Sequence, residues 1–322
     1  MEATQVAVIG AGISGIACAR TLADAGMDVV VLDRGRHLGG RMAVRTDHGR
    51  PVDVGASYFT VADPAFDAVV RDWVERGLAR PWTDTLGVYE AGSAGGGAAL
   101  RASTGPMRWA GSRGLRSLVE NLAEGLDVRQ VLVSGVGPGP TVDGDPVLAA
   151  VLAMPDPQGR RLLHPDLTVE AAALSAGFEP VLALTAAWPS RGWDDNLDGL
   201  FVNGDDQLSW IADDGRRRGD GAPVLVAHST PATAAAHLHE PEQATAPMLR
   251  ALRRILSIRD EPTWTQLQRW TYARPTGTRS ERYLLTDDGI GACGDGWSDK
   301  PRVEAAYLSG IALGTALVAR YG

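Results

Sequence analysis

Apolar and polar positions along the chain alternate between strand-like runs and helical spacing. Val6-Ala7-Val8-Ile9 is a continuous apolar run of strand length. Ile16, Ala19, Leu22 and Ala23 then recur at three- and four-residue intervals, and Val29-Val30-Val31-Leu32 forms a second run ending at Asp33. Helical spacing returns at Phe66, Val69, Val70, Trp73 and Val74, at Leu118, Val119 and Leu122, and at Met248, Leu249, Leu252, Ile255 and Leu256. Val128 to Val136 reads as a strand, and Val147 to Met154 as a buried strand ending in a small-residue crossover at Pro155. Val181 to Trp188, Leu200 to Val202, Val224 to His228 and Gly289 to Cys293 also read as strands. A last helix carries the stripe Val303, Ala306, Tyr307, Gly310, Ile311, Gly314, Leu317 and Val318. The pattern predicts an α/β fold.

Between the first strand and the first helix lies Gly10-Ala11-Gly12-Ile13-Ser14-Gly15. Strand, glycine turn, helix and second strand, with an acid about twenty residues beyond the glycines, is the pattern of a dinucleotide-binding unit. Gly10 permits the turn, Gly12 lets backbone approach a pyrophosphate, and Gly15 lets helix and strand pack closely. The phosphates then meet unpaired N–H groups and the positive end of a helix dipole. Asp33 is placed to accept from a ribose hydroxyl and would repel a ribose 2′-phosphate. Beyond Asp33 and Arg34 comes Gly39-Gly40-Arg41-Met42, a second glycine pair with a guanidinium beside it. A strand through Gly55-Ala56 into Tyr58-Phe59-Thr60 follows.

A chain of 322 residues has room for about two domains. Its net charge of -8 makes nucleic acid a poor partner. Cys18 and Cys293 are far apart in sequence and read as small buried hydrophobes. His237 and His239, two apart, fall on different faces of a helix, so no metal site is expected. No leader precedes the first strand and no apolar run reaches the roughly eighteen residues of a membrane span, so the expected location is the cytoplasm. Lys300 is the only lysine.

Gly-Gly-Arg-Met, Asp-x-Gly-Ala-x-Tyr-Phe-Thr from Asp53 to Thr60, Trp-Thr-Tyr-Ala-Arg-Pro from Trp270 to Pro275, and Gly294-Asp295 followed by Arg302-Val303-Glu304-x-Ala resemble the flavin amine-oxidase superfamily, most closely its renalase-like flavoproteins. The resemblance implies a Rossmann-type FAD-binding domain with an inserted α+β substrate domain on a mainly antiparallel sheet. It divides the chain into 1–60, 101–156 and 275–322 for the cofactor, and 61–100 and 157–274 for the substrate. It places Val133 at the adenine, Ala153-Met154-Pro155 at the domain crossing, and Gly294, Asp295, Arg302, Val303, Glu304 and Ala305 at the flavin, with Asp295 on the ribityl or pyrophosphate region. The substrate-pocket candidates are Tyr58, Trp210, His228, Tyr272, Arg274 and Trp297. For His228 the favoured reading is a hydrogen-bonded structural histidine, with the pocket role second. Arg216-Arg217-Arg218 reads as a solvated loop, or as a phosphate contact if it faces the cleft, and departs from the family there.

The cofactor implied is non-covalent FAD. The activity implied is transfer of a hydride from isomeric dihydronicotinamide dinucleotides to the flavin, with molecular oxygen as acceptor and hydrogen peroxide as product. No residue stands out as acid or base, which such chemistry tolerates. An amine oxidase or desaturase of the same superfamily is the first alternative. Many amine oxidases hold a water near the flavin with a substrate-domain lysine, and Lys300 lies in the loop before the last helix. A flavin- or NAD-binding protein without turnover is the second.

Overall fold

The computed structural model describes residues 4–92 and 99–322. The first strand, Val6–Ile9, lies at the centre of a six-stranded sheet. Its neighbours on one side are Val29–Asp33 and Asp127–Gln130, and on the other Ala149–Leu152, Ile290–Ala292 and Leu284–Leu285. All pair in parallel except the last, which is antiparallel at the edge. Crossover helices cover this sheet, as parallel pairing requires. The first helix, Ile13–Asp24, and the final helix, Val303–Tyr321, cross closely on one face. A Cβ on Gly310 would lie 2.0 Å from the Ser14 carbonyl oxygen, and one on Gly314 3.0 Å from that of Cys18. Glycine at these two positions is what lets the helix axes approach.

The final helix differs from expectation in one respect. Its 19 residues reach a mean hydropathy of 1.2, long and apolar enough by composition to cross a membrane. Here Leu313 and Leu317 are fully buried against the first helix and the sheet, which accounts for the apolar composition.

The second sheet has seven strands, in the order Trp264–Thr276, Gly177–Ala187, Val224–Ser229, Leu208–Asp213, Gly199–Asn203, Ala79–Glu90, Ala99–Gly111. Only Gly199–Asn203 and Ala79–Glu90 pair in parallel. Helix Thr245–Leu256 buries Met248 and Leu252 on one face of this sheet, with Leu182, Leu184, Leu225 and Ala227 beneath. The loose tip expected at 91–99 falls mostly on 93–98, outside the described residues.

Three expected boundaries shift. Helix Pro64–Glu75, assigned to the substrate domain, sends Phe66, Val70 and Trp73 into the core of the cofactor sheet. Leu167 and Leu174 pack under the same sheet, so the chain stays on that side until Gly177 rather than leaving at 157. Residues 101–111, assigned to the cofactor domain, complete the edge strand of the second sheet. Helical spacing reports that a face is buried, not against which sheet. The turn-rich stretch after Val136 is a small three-stranded sheet, Val136–Gly137, Thr141–Val142 and Asp145–Pro146, and the strand expected from Val128 to Val136 ends at Gln130.

Candidate functional site

A cleft of about 1290 Å³ runs from the glycine turn, past the N-terminus of the final helix, to the face of the second sheet. Gly10 has φ 115°, and a Cβ there would lie 2.5 Å from the Ala153 carbonyl oxygen, so glycine is dictated by the neighbouring strand. Gly12 is different: a Cβ would meet nothing within 4 Å and would project into open cleft. Gly12 caps the first helix without a side-chain hydrogen bond, which leaves the first-turn N–H groups free. Arg302 likewise caps the final helix without a side-chain bond. Pro301, Arg302, Val303 and Ala306 line the cleft there. Two helix N-termini thus open on one elongated cavity. This fits a dinucleotide cofactor with its diphosphate at the first helix and an electron-rich ring at the last.

Most sequence-predicted cofactor residues line this cleft: Gly10, Gly12, Ile13, Ser14, Asp33, Arg34, Gly39, Gly40, Arg41, Met42, Gly55, Ala56, Val133, Ala153, Met154, Pro155, Gly294, Asp295, Arg302 and Val303. Four do not. Ala11 is buried and gives its N–H to Asp33 at 2.6 Å. Gly15 packs under Gly10, where a Cβ would lie 2.0 Å from the Gly10 carbonyl oxygen. Glu304 is fully buried, accepting the N–H groups of Ala62 at 2.6 Å and Asp63 at 2.8 Å, and it pairs with Arg302 at 2.7 Å. It ties the final helix to the start of helix Pro64–Glu75. Ala305 follows it on the same turn and does not reach the cleft.

Two expected carboxylate roles change in detail. Asp33 holds the glycine turn, accepting from Ala11 at 2.6 Å and from Gly35 at 2.7 Å. Asp33 also lines the cleft, and each carboxylate oxygen retains acceptor capacity for a ribose hydroxyl. Asp295 forms a two-pronged pair with Arg41, at 2.8 and 2.5 Å, rather than standing free for a cofactor hydroxyl. Arg41 also donates to the Ala273 carbonyl at 3.1 Å, where strand Trp264–Thr276 bulges against its neighbour. The Gly-Gly-Arg turn, the Gly-Asp loop and the Tyr-Ala-Arg-Pro segment therefore meet at one guanidinium.

The substrate half is walled by aromatic rings. Trp210 lies 5.7 Å from Tyr58 and 5.0 Å from Phe201, centroid to centroid. Its indole N–H donates to Ser57 Oγ at 2.9 Å. Trp270 donates to the Val54 carbonyl at 2.7 Å. Tyr272 and Arg274 follow on the same strand and line the cleft. His228 lines it too, nine-tenths buried, and its Nε2 has no protein partner. This overturns the hydrogen-bonded structural role. Burial, helped by the Arg274 and Arg217 charges, pushes its pKa down to about 3, so the imidazole is neutral at ordinary pH. Cys293 also lines the cleft, but burial pushes its thiol up to about 12, which leaves no thiolate nucleophile.

Trp297, a pocket candidate, lies elsewhere. It packs under the cofactor sheet with the Arg279 guanidinium 4.0 Å above its ring. Arg216–Arg218 are neither solvated loop nor phosphate contact. Asp214–Arg218 is a short helix in which Arg216 pairs with Asp198, Arg217 with Asp214, and Arg218 with Asp53. Arg217 is buried and also donates to the Ser57 carbonyl at 3.0 Å, so this ion cluster braces the Ser57–Tyr58 turn from behind. Trp270, the first residue of the Trp-Thr-Tyr-Ala-Arg-Pro match, lines the cleft as well, as do Arg161, Phe201 and Gln268, for which the sequence reading assigned no role. Trp270 and Gln268 share the strand of Tyr272, which was a usable signal. Arg161 had none.

This is the cleft of a flavin-dependent oxidoreductase. A family model for flavin containing amine oxidoreductases matches residues 100–312, and one for an NAD(P)-binding Rossmann-like domain matches residues 8–73. The chain belongs to the flavin containing amine oxidoreductase family, and FAD is its cofactor. Among curated relatives, polyamine oxidase 4 of Oryza sativa subsp. japonica is 47% identical over 54 residues, 17% of this chain and 11% of the relative. Amine oxidase [flavin-containing] B of Sus scrofa is 40% identical over 75 residues, 23% of this chain and 14% of the relative. These matches span only a small part of the relatives' length. Among solved structures, putrescine oxidase bound to putrescine superposes with a TM-score of 0.74 at 17% identity, over 98% of this chain and 99% of the other. Cyclohexylamine oxidase from Brevibacterium oxydans IH-35A gives 0.76 at 14% identity, over 99% of each chain. The likeness to these structures is one of fold.

Proposed function

We propose that this flavoprotein is a renalase-like oxidase of isomeric dihydronicotinamide dinucleotides, with oxygen as the terminal acceptor. The observation that carries the reading is the charge of the substrate half. The carboxylates lining the cleft are Asp33, engaged with the glycine turn, and Asp295, paired with Arg41. Among the described residues no free carboxylate lines the cleft to receive a protonated amine, whereas Arg161 and Arg274 do line it. Lys300 does not line the cleft, so the lysine-held water of many amine oxidases has no counterpart in it.

Bound FAD supplies a hydride acceptor at N5 and the route by which electrons reach oxygen. The protein's part is positioning and exclusion of water. Tyr58, Phe201 and Trp210 form an apolar wall against which a flat dihydropyridine stacks, and Trp210 is fixed by Ser57. Holding the donor carbon near its acceptor is the dominant contribution available to a hydride transfer without acid–base steps. A neutral His228 offers one hydrogen bond without adding charge beside the ring that becomes a pyridinium. The donor loses hydride and becomes the oxidised nicotinamide; oxygen takes two electrons and two protons to give hydrogen peroxide.

Anaerobic rapid mixing of the yellow protein with dihydronicotinamide dinucleotides reduced at C2 or C6 should bleach the flavin within seconds. No bleaching by these, with bleaching by a primary amine or polyamine, would transfer the assignment to an amine oxidase. The family and the aromatic wall favour that second reading.

A further inference from the structure

Arg161 and Arg274 approach the substrate half from opposite sides. Arg161 follows the short helix Asp156–Gly159 on the cofactor side, and Arg274 sits on strand Trp264–Thr276 of the second sheet. Both line the cleft. The Arg161 guanidinium donates to the Tyr272 hydroxyl, and its Cζ lies 5.4 Å from the ring centroid. Tyr272 is two residues from Arg274, so the backbones carrying Tyr272 and Arg274 are at most about 7 Å apart.

Among the described residues neither guanidinium has a carboxylate within 4.0 Å. Arg274 is paired in strand register with Glu179 and still makes no ion pair with it. Several other arginines on the cleft or in the core are paired, Arg41 with Asp295, Arg217 with Asp214, Arg218 with Asp53 and Arg279 with Asp156, while among the described residues Arg34 and Arg269 on the cleft also lack a carboxylate within 4.0 Å. The buried, unpartnered Nε2 of His228 lies on the same wall. A guanidinium pair left without protein anions in a cleft is suited to two-pronged contacts with phosphate oxygens.

We propose that Arg161 and Arg274 clamp a phosphate group of the substrate, so that the enzyme takes phosphorylated nicotinamides and rejects the riboside. Tyr272 is the positioning residue that holds Arg161 over the cleft. The proposal rests on the dihydronicotinamide reading and adds the part of the molecule that is recognised.

The test uses the FAD-loaded protein and unreactive ligands. Calorimetric titration with NAD⁺, nicotinamide mononucleotide and nicotinamide riboside should show both phosphorylated ligands binding at least about tenfold more tightly than the riboside. The difference should shrink as salt rises. In the double variant Arg161→Gln/Arg274→Gln it should fall below about threefold, with flavin absorbance and melting temperature unchanged, and Arg274→Lys should restore part of it. Equal affinity for mononucleotide and riboside in the wild type would overturn the clamp. So would a gap that survives in the double variant, or loss of FAD from that variant, which would assign the arginines to the cofactor. Inorganic pyrophosphate binding as tightly as NAD⁺ would overturn it in favour of a free-anion site. Bleaching by the dihydronicotinamide riboside isomer as fast as by the dinucleotide would sink the clamp and leave the oxidase reading standing. Absence of bleaching by any dihydronicotinamide would sink the oxidase reading itself.

Discussion

The two halves of the cleft are built from different materials. The cofactor half is mostly backbone: glycines 10, 12, 39, 40 and 294, and the N-termini of two helices that no side chain caps. The substrate half is mostly side chains, collected from Tyr58, Arg161, Phe201, Trp210, His228 and strand Trp264–Thr276. Backbone recognition demands glycine at fixed offsets, because only a missing Cβ lets a phosphate approach. Side-chain recognition places no such demand on any one segment. The first half is therefore suited to one ligand type and constrains sequence, and the second sets the choice of substrate.

Substitutions that hit only one half sharpen this contrast. The largest effect is expected from Gly12→Val. Its side chain would enter open cleft, so the fold should survive while FAD is lost, giving a colourless protein with a normal far-ultraviolet spectrum. Yellow, fully loaded Gly12→Val protein would show that the turn does not cradle the diphosphate.

Arg217→Met tests the brace behind the substrate half. It would leave Asp214 short of a buried countercharge and remove the hydrogen bonds to the Ser57 and Asp53 carbonyls, at a cost of about 3–5 kcal/mol in chemical denaturation. A loss below about 1 kcal/mol would mean that Arg50 and Arg218 compensate.

Asp295→Ala removes the anion that holds Arg41. Flavin affinity should weaken by about 1–3 kcal/mol, measured by equilibrium release of FAD. Unchanged affinity would confine the pair to joining the two sheets.

The smallest effect concerns His228. Its pKa of about 3 in the folded protein lies below the ordinary histidine value of 6.5, so unfolding exposes a group that takes up a proton. Its contribution to stability is complete above pH 6.5 and declines as pH falls toward 3. Relative to His228→Asn, the wild type should therefore lose about 1 kcal/mol between pH 8 and pH 5.5. Parallel stability curves for the two proteins would contradict a neutral, buried imidazole.

Much of the cofactor half was legible because each signal is local. The strand before Gly10, the helix after Gly12 and the acid at Asp33 are one continuous unit, and the final helix announces its buried stripe directly. Glu304 shows the limit of a motif. Sequence placed it beside the flavin, but a carboxylate in the first turn of a packed helix found the N–H groups of Ala62 and Asp63 instead. Arg216–Arg218 shows the same limit for charge. Three adjacent arginines read as a solvated run until Asp53, Asp198 and Asp214 are brought against them.

The sequence by itself determined the dinucleotide turn, the parallel sheet around it and the family, since those depend on residues a fixed short distance apart. The tertiary structure alone decided that helix Pro64–Glu75 packs on the cofactor sheet, that Trp297 lies outside the cleft, and which arginines keep their charge uncompensated there. Coulomb pairing and burial depend on distance through space, and residues such as Arg161 and Tyr272 become neighbours only when two separately built sheets come together.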